Sequence, residues 1–540
     1  MAQLYSLTSQ RDISSPPKKP SSSLFPSVVE ASKDLSTSLT NAATVGELPT
    51  STVNGQGEAT LGVKKRVVIV GAGISGLRAA SVLQRNGVEV IVIEGRGRIG
   101  GRIHTTHTDQ GARDMGAAWM HETSQNNLVK LIPRLGIEYY YDDGMAIYYT
   151  EHGRAGAQFK AKKVADEFAD YCEWFYDTHP DEPDRDVAGF VDEFVRKHQL
   201  ITKDERAWAP QAVKEVELWI GTSVEQASAK HLSYFITERN LYMKGGYDSI
   251  VDWTAKSLQS NPDTIRLGHT VENIVWSEDG SMTNVVECRL KDCTAANFTA
   301  DAVICTIPLG ALRHELVSFN PPLPNDIQTG LTRFSYGALG KIFFEFTDVF
   351  WSKDNDQFIY YPSPPELEDG EEVYSSSAGS GSSTTHDNIL NYATVTINLW
   401  IMTGSKELCV QIAEPLTQRI EAMTNKKDLY KFFEPLFKLY RTEPYKALPS
   451  LVNIEKTNWT QDPLAGFGSY SADKVGDEPS LLLEALDAHR DSRLQFAGEH
   501  CTEVANGCVH GAFATGEKAA RNLLRAFGME MDGGDEVSLF

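Results

Sequence analysis

The first residues whose types and spacing could do chemistry form the run Gly71-Ala72-Gly73-Ile74-Ser75-Gly76, a G-x-G-x-x-G pattern; the acidic residue Glu94 ends the next apolar stretch. Such a run can recognise a pyrophosphate. Gly71 permits a tight turn, Gly73 has no side chain to obstruct the phosphates, and Gly76 lets a helix pack close to a strand. A helix opening at Ile74 and Ser75 would aim free N–H groups and a partial positive charge at the anion. Glu94 can accept hydrogen bonds from ribose hydroxyls. The pattern alone does not separate FAD from NAD.

A strand, a turn, a helix and a second strand must position that run. Residues 66–70 read as a buried parallel strand, apolar and β-branched from Val67 onward. A helix is expected over 75–86, with Gly87 at its C-terminal cap, and a second strand over 88–93. Further strands are expected at 265–276, 282–290, 301–306, 341–346, 390–402 and 407–412. Helices are expected through much of 160–240 and over 414–440, and the order strand, loop, helix over 494–528.

Composition excludes several classes. The 540 residues carry a formal net charge of -22, which disfavours nucleic acid or an anionic membrane as partner. No apolar stretch reaches the roughly 18 residues of a membrane span. The seven cysteines form no C-x-x-C pair, which argues against a disulfide framework or a structural zinc site. The expected setting is therefore a reducing compartment, the cytoplasm, and no metal is expected. No H-E-x-x-H, nucleophile elbow or ligand cluster suggests a hydrolase. Residues 1–60 hold 19 Ser or Thr, lack the apolar core of a signal peptide, and are expected to form a disordered tail. Residues 366–386 are expected to be a surface loop.

Beyond Glu94, the run Gly95-Arg96-Gly97-Arg98-Ile99-Gly100-Gly101-Arg102 resembles the E-A-R-x-R-x-G-G-R stretch of flavin amine oxidases, with Gly95 in the alanine position. Gly116-Ala117-Ala118-Trp119-Met120-His121 is similar to the G-A-x-W-x-H segment of polyamine oxidases. Thr270-Val271-Glu272-Asn273-Ile274 and Thr306-Ile307-Pro308-Leu309-Gly310 resemble two further segments of that superfamily. Phe496-Ala497-Gly498-Glu499-His500 and Val509-His510-Gly511-Ala512 resemble its closing flavin motif. The resemblance spans residues 63–526 and points to the polyamine-oxidase-like branch.

That resemblance implies an α/β fold. A Rossmann-like FAD-binding domain is expected from residues 63–150, 241–315 and 455–528, and an α+β substrate-binding domain from 151–240 and 316–454, with 529–540 as a tail. It implies FAD held through Gly71, Gly73, Ile74, Ser75, Gly76, Glu94, Arg96, Arg98, Gly101, Arg102, Gly116, Ala117, Ala118, Trp119, Val271, Trp459, Gly498, Glu499 and Val509. Arg98 and Arg102 would bring positive charge near the phosphates.

The same resemblance assigns the chemistry to a few residues. Lys341 matches the lysine that holds a water near the flavin; on its own merits it could be a solvated strand residue. Tyr470, in the stretch Trp459, Asp462-Pro463 and Gly468-Ser469-Tyr470, would form one wall of an aromatic slot that attracts a cationic amine; otherwise it is a core tyrosine. His121 would contact substrate or serve as a hydrogen-bonded structural histidine. Glu215 or Glu217 could bind a distal ammonium.

Two departures from the pattern bear on function. Ser469 stands where enzymes with covalent flavin carry cysteine, so noncovalent FAD is implied. Cys508 replaces the second aromatic wall, which suits a longer amine. The implied reaction oxidises a C–N bond of a small-molecule amine by hydride transfer to the flavin, with oxygen as acceptor and hydrogen peroxide as product. An oxidase of amino acids or of one pathway's monoamine is the alternative. A demethylase or partner-binding flavoprotein ranks below it, because no coiled-coil insert interrupts the oxidase region.

Overall fold

Five parallel strands carry the glycine turn. Their order is Ile265–Leu267, Glu89–Glu94 (β2), Arg66–Val70 (β1), Ala302–Cys305 and Leu494–Phe496, and each neighbouring pair is parallel. The computed structural model describes residues 64–142, 145–156, 159–232, 239–365, 387–531, 534–535 and 537–538. The tail expected over 1–60 and the loop expected over 366–386 lie outside the described residues.

β1 is apolar on both faces because both are covered. The helix Ile74–Arg85 (α1) lies on one side, packed against the C-terminal helix Val509–Ala526 through Leu77, Ala80, Leu83, Phe513, Ala520 and Leu524. A buried ion pair locks the two helices, with Arg78 Nη2 donating to Glu517 Oε2 at 2.6 Å. Asp535 and Ser538 also accept from Arg78, at 2.6 and 3.0 Å. The segment expected as a C-terminal tail is thus tied to α1.

A seven-stranded sheet forms the second layer. It runs Leu451–Lys456, Gly340–Phe346, Glu407–Ile412, Thr394–Asn398, Gln357–Tyr360, Ala146–Thr150 and Gly153–Arg154. Strand periodicity sorts Gly340–Phe346 into two faces. Ile342, Phe344 and Phe346 pack with Phe433 and Phe437 of the helix Lys426–Tyr440. Phe343 belongs to the opposite core, under the helices Ala161–Thr178 and Val187–Lys197. Lys341 and Glu345 share the Phe343 face, which the strand Gly111–Asp114 crosses. There Arg113 Nε donates to Glu407 Oε1 at 2.8 Å, and its two Nη groups donate to Glu345 and Glu455.

Several expected elements shift for local reasons. The segment 265–276 breaks at Gly268, whose φ is +73°, and its halves join different sheets. The strand expected to run to 402 ends at Asn398, whose side chain caps the short helix Leu399–Thr403 by accepting from Trp400 N. The helix expected over 414–440 is two helices, Leu416–Ala422 and Lys426–Tyr440, separated at the capping residue Asn425. Strand pairing also crosses the expected domain limits. Ala146–Thr150 pairs with Gln357–Tyr360, and Ser318–Asn320 with His269–Val275. Among the described residues no helix is long and apolar enough to cross a membrane.

Candidate active site

A cavity of about 1650 Å³ opens at the N-terminus of α1 and is lined as well by the seven-stranded sheet and the helical layer. Small-molecule sites usually occupy roughly 300–1,000 Å³, so this one has room for a large cofactor and a second molecule. Every site residue named from the sequence lines it except Gly76, Arg98 and Glu217.

Gly76 sits behind the turn, where an added Cβ would stand 2.0 Å from the Gly71 carbonyl oxygen. Arg98 turns into its own loop and donates to the carbonyls of Ile99, Gly101 and Ile103. Burial and the neighbouring Arg96 lower its pKa to about 10. The charge expected from Arg98 beside the phosphates therefore braces the loop instead.

The end of the cavity at the glycine turn is largely backbone. α1 is capped by Gly73 with no side-chain bond and has no acidic residue in its first turn, so its N–H groups face the cavity unneutralised. Ser75 Oγ is buried without a protein partner. Glu94 accepts from Ala72 N at 2.9 Å and Arg96 N at 2.8 Å, joining the turn to the following loop. Arg96 pairs with Asp462 at 2.6 Å. Val271 enters from the strand His269–Val275 and Val509 from the first turn of the C-terminal helix.

Arg102 joins the two ends of the cavity. Its Nη1 donates to Glu499 Oε1 at 2.7 Å and to the Ser469 carbonyl at 3.0 Å. Glu499 Oε2 accepts from Ser471 Oγ and Gly507 N. Burial pushes the Glu499 carboxyl up, but Arg102, His500 and the Ser471 bond outweigh that and hold it below the ordinary value.

Lys341 lies at the other end. Its Nζ donates to the carbonyls of Asp114 (3.1 Å) and Gly116 (2.6 Å) and stands 5.3 Å from the Trp119 ring centre. Burial lowers its pKa, opposed by Cys409 and Asp114. Trp119 Nε1 donates to Asp142, and Trp459 Nε1 to the Met115 carbonyl. His121 Nδ1 donates to Asn240 Oδ1 at 2.8 Å, which leaves Nε2 as acceptor; burial lowers its pKa. Tyr470 OH donates to the Trp219 carbonyl at 2.7 Å. Ser469 Oγ accepts from Leu339 N at 2.7 Å. Cys508 lines the same cavity as Tyr470.

The two acids singled out in the helical region separate. Glu215 lines the cavity and accepts from Tyr361 OH at 2.6 Å. Glu217 does not line it; it accepts from Val224 N at 3.0 Å and folds the turn after its own helix.

Sequence reasoning missed Asn240, Trp219, Glu122 and Arg239, all of which line the cavity. It also missed Glu421, which lies behind the site. Glu421 Oε1 accepts from Thr457 Oγ1 at 2.6 Å, and Thr457 Oγ1 in turn accepts from Lys341 N at 3.1 Å. No short motif contains these residues; only the pairing of distant elements brings them together.

Fold and cavity define an α/β protein of the dinucleotide-binding type, joined to a seven-stranded sheet that shares the cavity. Its residues 74–524 match the family described as flavin containing amine oxidoreductase. The chain belongs to that family, in its polyamine-oxidase-like branch, and is thus a flavin-dependent oxidoreductase. It is 30% identical to polyamine oxidase 2 of Arabidopsis thaliana, over 84% of this chain and 87% of the relative. It is 26% identical to a corticosteroid-binding protein of Candida albicans, over 85% and 96%. Lysine-specific histone demethylase 1 homolog 2 of Arabidopsis thaliana is 26% identical, over 86% of this chain and 59% of that protein.

Proposed function

We propose that this protein is an FAD-dependent oxidase of a polyamine or related amine, with noncovalent flavin and oxygen as acceptor. One observation carries this reading: the glycine turn and the group Lys341, His121 and Tyr470 wall a single cavity. The open N-terminus of α1 and the partnerless Ser75 Oγ support a pyrophosphate there. Glu94 supports a ribose. Ser469 cannot form a thioether, which supports a noncovalent flavin. The similarity to polyamine oxidase 2 supports the substrate class. The seven unpaired cysteines support a reducing compartment. In this reading the five-stranded sheet serves the cofactor, and the seven-stranded sheet with its helices serves the amine.

When bound, a flavin would supply the acceptor for the hydride that leaves the carbon beside the amine nitrogen, with oxygen as final acceptor giving hydrogen peroxide; the imine left behind hydrolyses to an aldehyde. The chain's own residues prepare that event. Lys341, fixed by two carbonyls, presents its remaining N–H to the cavity. His121, held by Asn240, offers Nε2 as a hydrogen-bond acceptor. Tyr470 and Trp119 supply aromatic faces for an alkylammonium.

A peroxide-coupled assay with polyamines, monoamines and amino acids tests the activity; silence across the whole panel sinks it. Acid precipitation tests the attachment, since noncovalent flavin leaves in the supernatant. One observation favours a second reading, an oxidase of amino acids. Arg239 lines the cavity, with its guanidinium carbon 6.0 Å from the Tyr141 ring centre, where it could receive a carboxylate. The amino-acid arm of the panel decides between the two.

A further inference from the structure

Beside His121 the cavity wall carries another ionisable unit. Glu122 lines the cavity with a backbone φ of 53°, in the left-handed region where a residue with a Cβ is strained. The turn enforces that conformation: the Glu122 carbonyl accepts from both Gln125 N and Asn126 N at 2.9 Å. Asn126 Nδ2 donates back to the His121 carbonyl at 3.0 Å. Glu122 Oε2 meets Nε2 of His510 at 3.0 Å, and the His510 side chain is only 10% exposed. Oε1 has no protein donor among the described residues.

This inference rests on the amine-oxidase reading. An alkylamine reaches the protein as an ammonium ion, yet oxidation at the adjacent carbon needs the nitrogen lone pair. We propose that Glu122, backed by His510, accepts the proton of the substrate's ammonium group at the cavity wall. The N–H bond breaks, its electron pair stays on nitrogen, and an O–H bond forms at Glu122 Oε1; the proton then leaves to solvent through the open side of the cavity. No electrons are exchanged in this step.

Charge favours Glu122 over its neighbour. A proton on Glu122 neutralises a carboxylate, whereas a proton on His121 makes a buried cation, which burial first and then His510 and Lys341 disfavour. The ionisable groups around Glu122 are His510 and Cys508 at the C-terminal helix and His121 on its own segment; Lys341 on the seven-stranded sheet acts through His121.

The strain makes the proposal testable without ambiguity from misfolding. Glycine at 122 relieves the backbone and removes the carboxylate together. The holoenzyme is compared with E122Q and E122G from about pH 6 to about pH 10, using the amine that the wild type oxidises fastest. Both variants should lose about 100-fold in kcat/KM near neutral pH, in the range of general-base contributions. The deficit should shrink as pH approaches the amine's own pKa, because the substrate then arrives deprotonated. E122G should keep the wild-type flavin content and melt no lower than the wild type.

Variants that follow the wild-type pH profile, or a deficit that stays constant with pH, overturn the proposal while leaving the amine-oxidase reading intact. A wild type that oxidises no amine overturns both.

Discussion

At the end of the glycine turn the cavity is shaped by backbone: that turn, an uncapped helix N-terminus, and helices pressed so close that a Cβ at Gly516 would stand 2.1 Å from the Ser75 carbonyl oxygen. At its opposite end, around Lys341, it is shaped by side chains from distant strands. Lys341 reaches two carbonyls beyond Arg113, and Arg113 is held by Glu345, Glu407 and Glu455 on three adjacent strands. Contacts of the first kind tolerate almost no added volume. Those of the second kind tolerate volume but not loss of charge balance. Mutations that exchange these sensitivities would break the comparison.

The largest effect is expected at Arg113. Its guanidinium and the Glu407 side chain are both nearly fully buried, at 3% and 2% exposure. Arg113→Met keeps the bulk but strands that carboxylate beside two more. Removing one partner of a buried pair costs about 3–5 kcal/mol, so thermal melting should show a fall of several degrees or failure to fold. A variant as stable as the wild type would mean that packing, and not charge, holds this end.

Gly76→Ala tests the other end. The added methyl meets the Gly71 carbonyl oxygen, and overpacking costs about 1–3 kcal/mol. The turn must move, so the ratio of flavin to protein absorbance should fall below that of the wild type even where the protein stays folded. Full flavin content in a stable Gly76→Ala protein would contradict the backbone account.

Lys341→Met should act on rate alone. The lysine's partners are carbonyls of the wall itself, and methionine approximates its length. Anaerobic reduction by amine or reoxidation by oxygen should slow about tenfold or more, with flavin still bound. Loss of flavin instead would mean that Lys341 belongs functionally to the cofactor end.

The same contrast explains what the sequence makes legible. Gly71 to Arg102 is contiguous, and its chemistry is that of a turn and a helix end, so local pattern suffices to find it. Lys341 and Tyr470 were reached only through distant family motifs. Arg98 shows the limit even at the legible end: its type suggested phosphate charge, but three carbonyls of its own loop claim the guanidinium. Asn240, Trp219 and Glu122 carry no local signature, because strand pairing between Trp119–Met120 and Asn240–Met243 is what brings Asn240 to His121. The strand end at 398 and the helix break at 425 were readable in principle, since an asparagine caps the helix that starts after each.

The smallest effect concerns a carboxyl that sequence reasoning offered to the substrate and the structure places outside the cavity. Burial pushes Glu217 up to about 7, against the Val224 N–H bond and Lys214. Unfolded, the same carboxyl loses its proton near its ordinary value of 4.5. Between these values the folded chain holds the extra proton, so this group's contribution to stability falls as pH rises through the window and levels off above about 7. Glu217→Gln removes the titration while keeping an oxygen for Val224 N. The melting temperature of the variant relative to wild type should therefore rise by a few degrees between about pH 5 and about pH 7.5. The amine kinetics should stay unchanged, because Glu217 does not line the cavity. A constant difference in melting temperature would remove Glu217 from the pH response, and altered amine kinetics would return it to the substrate.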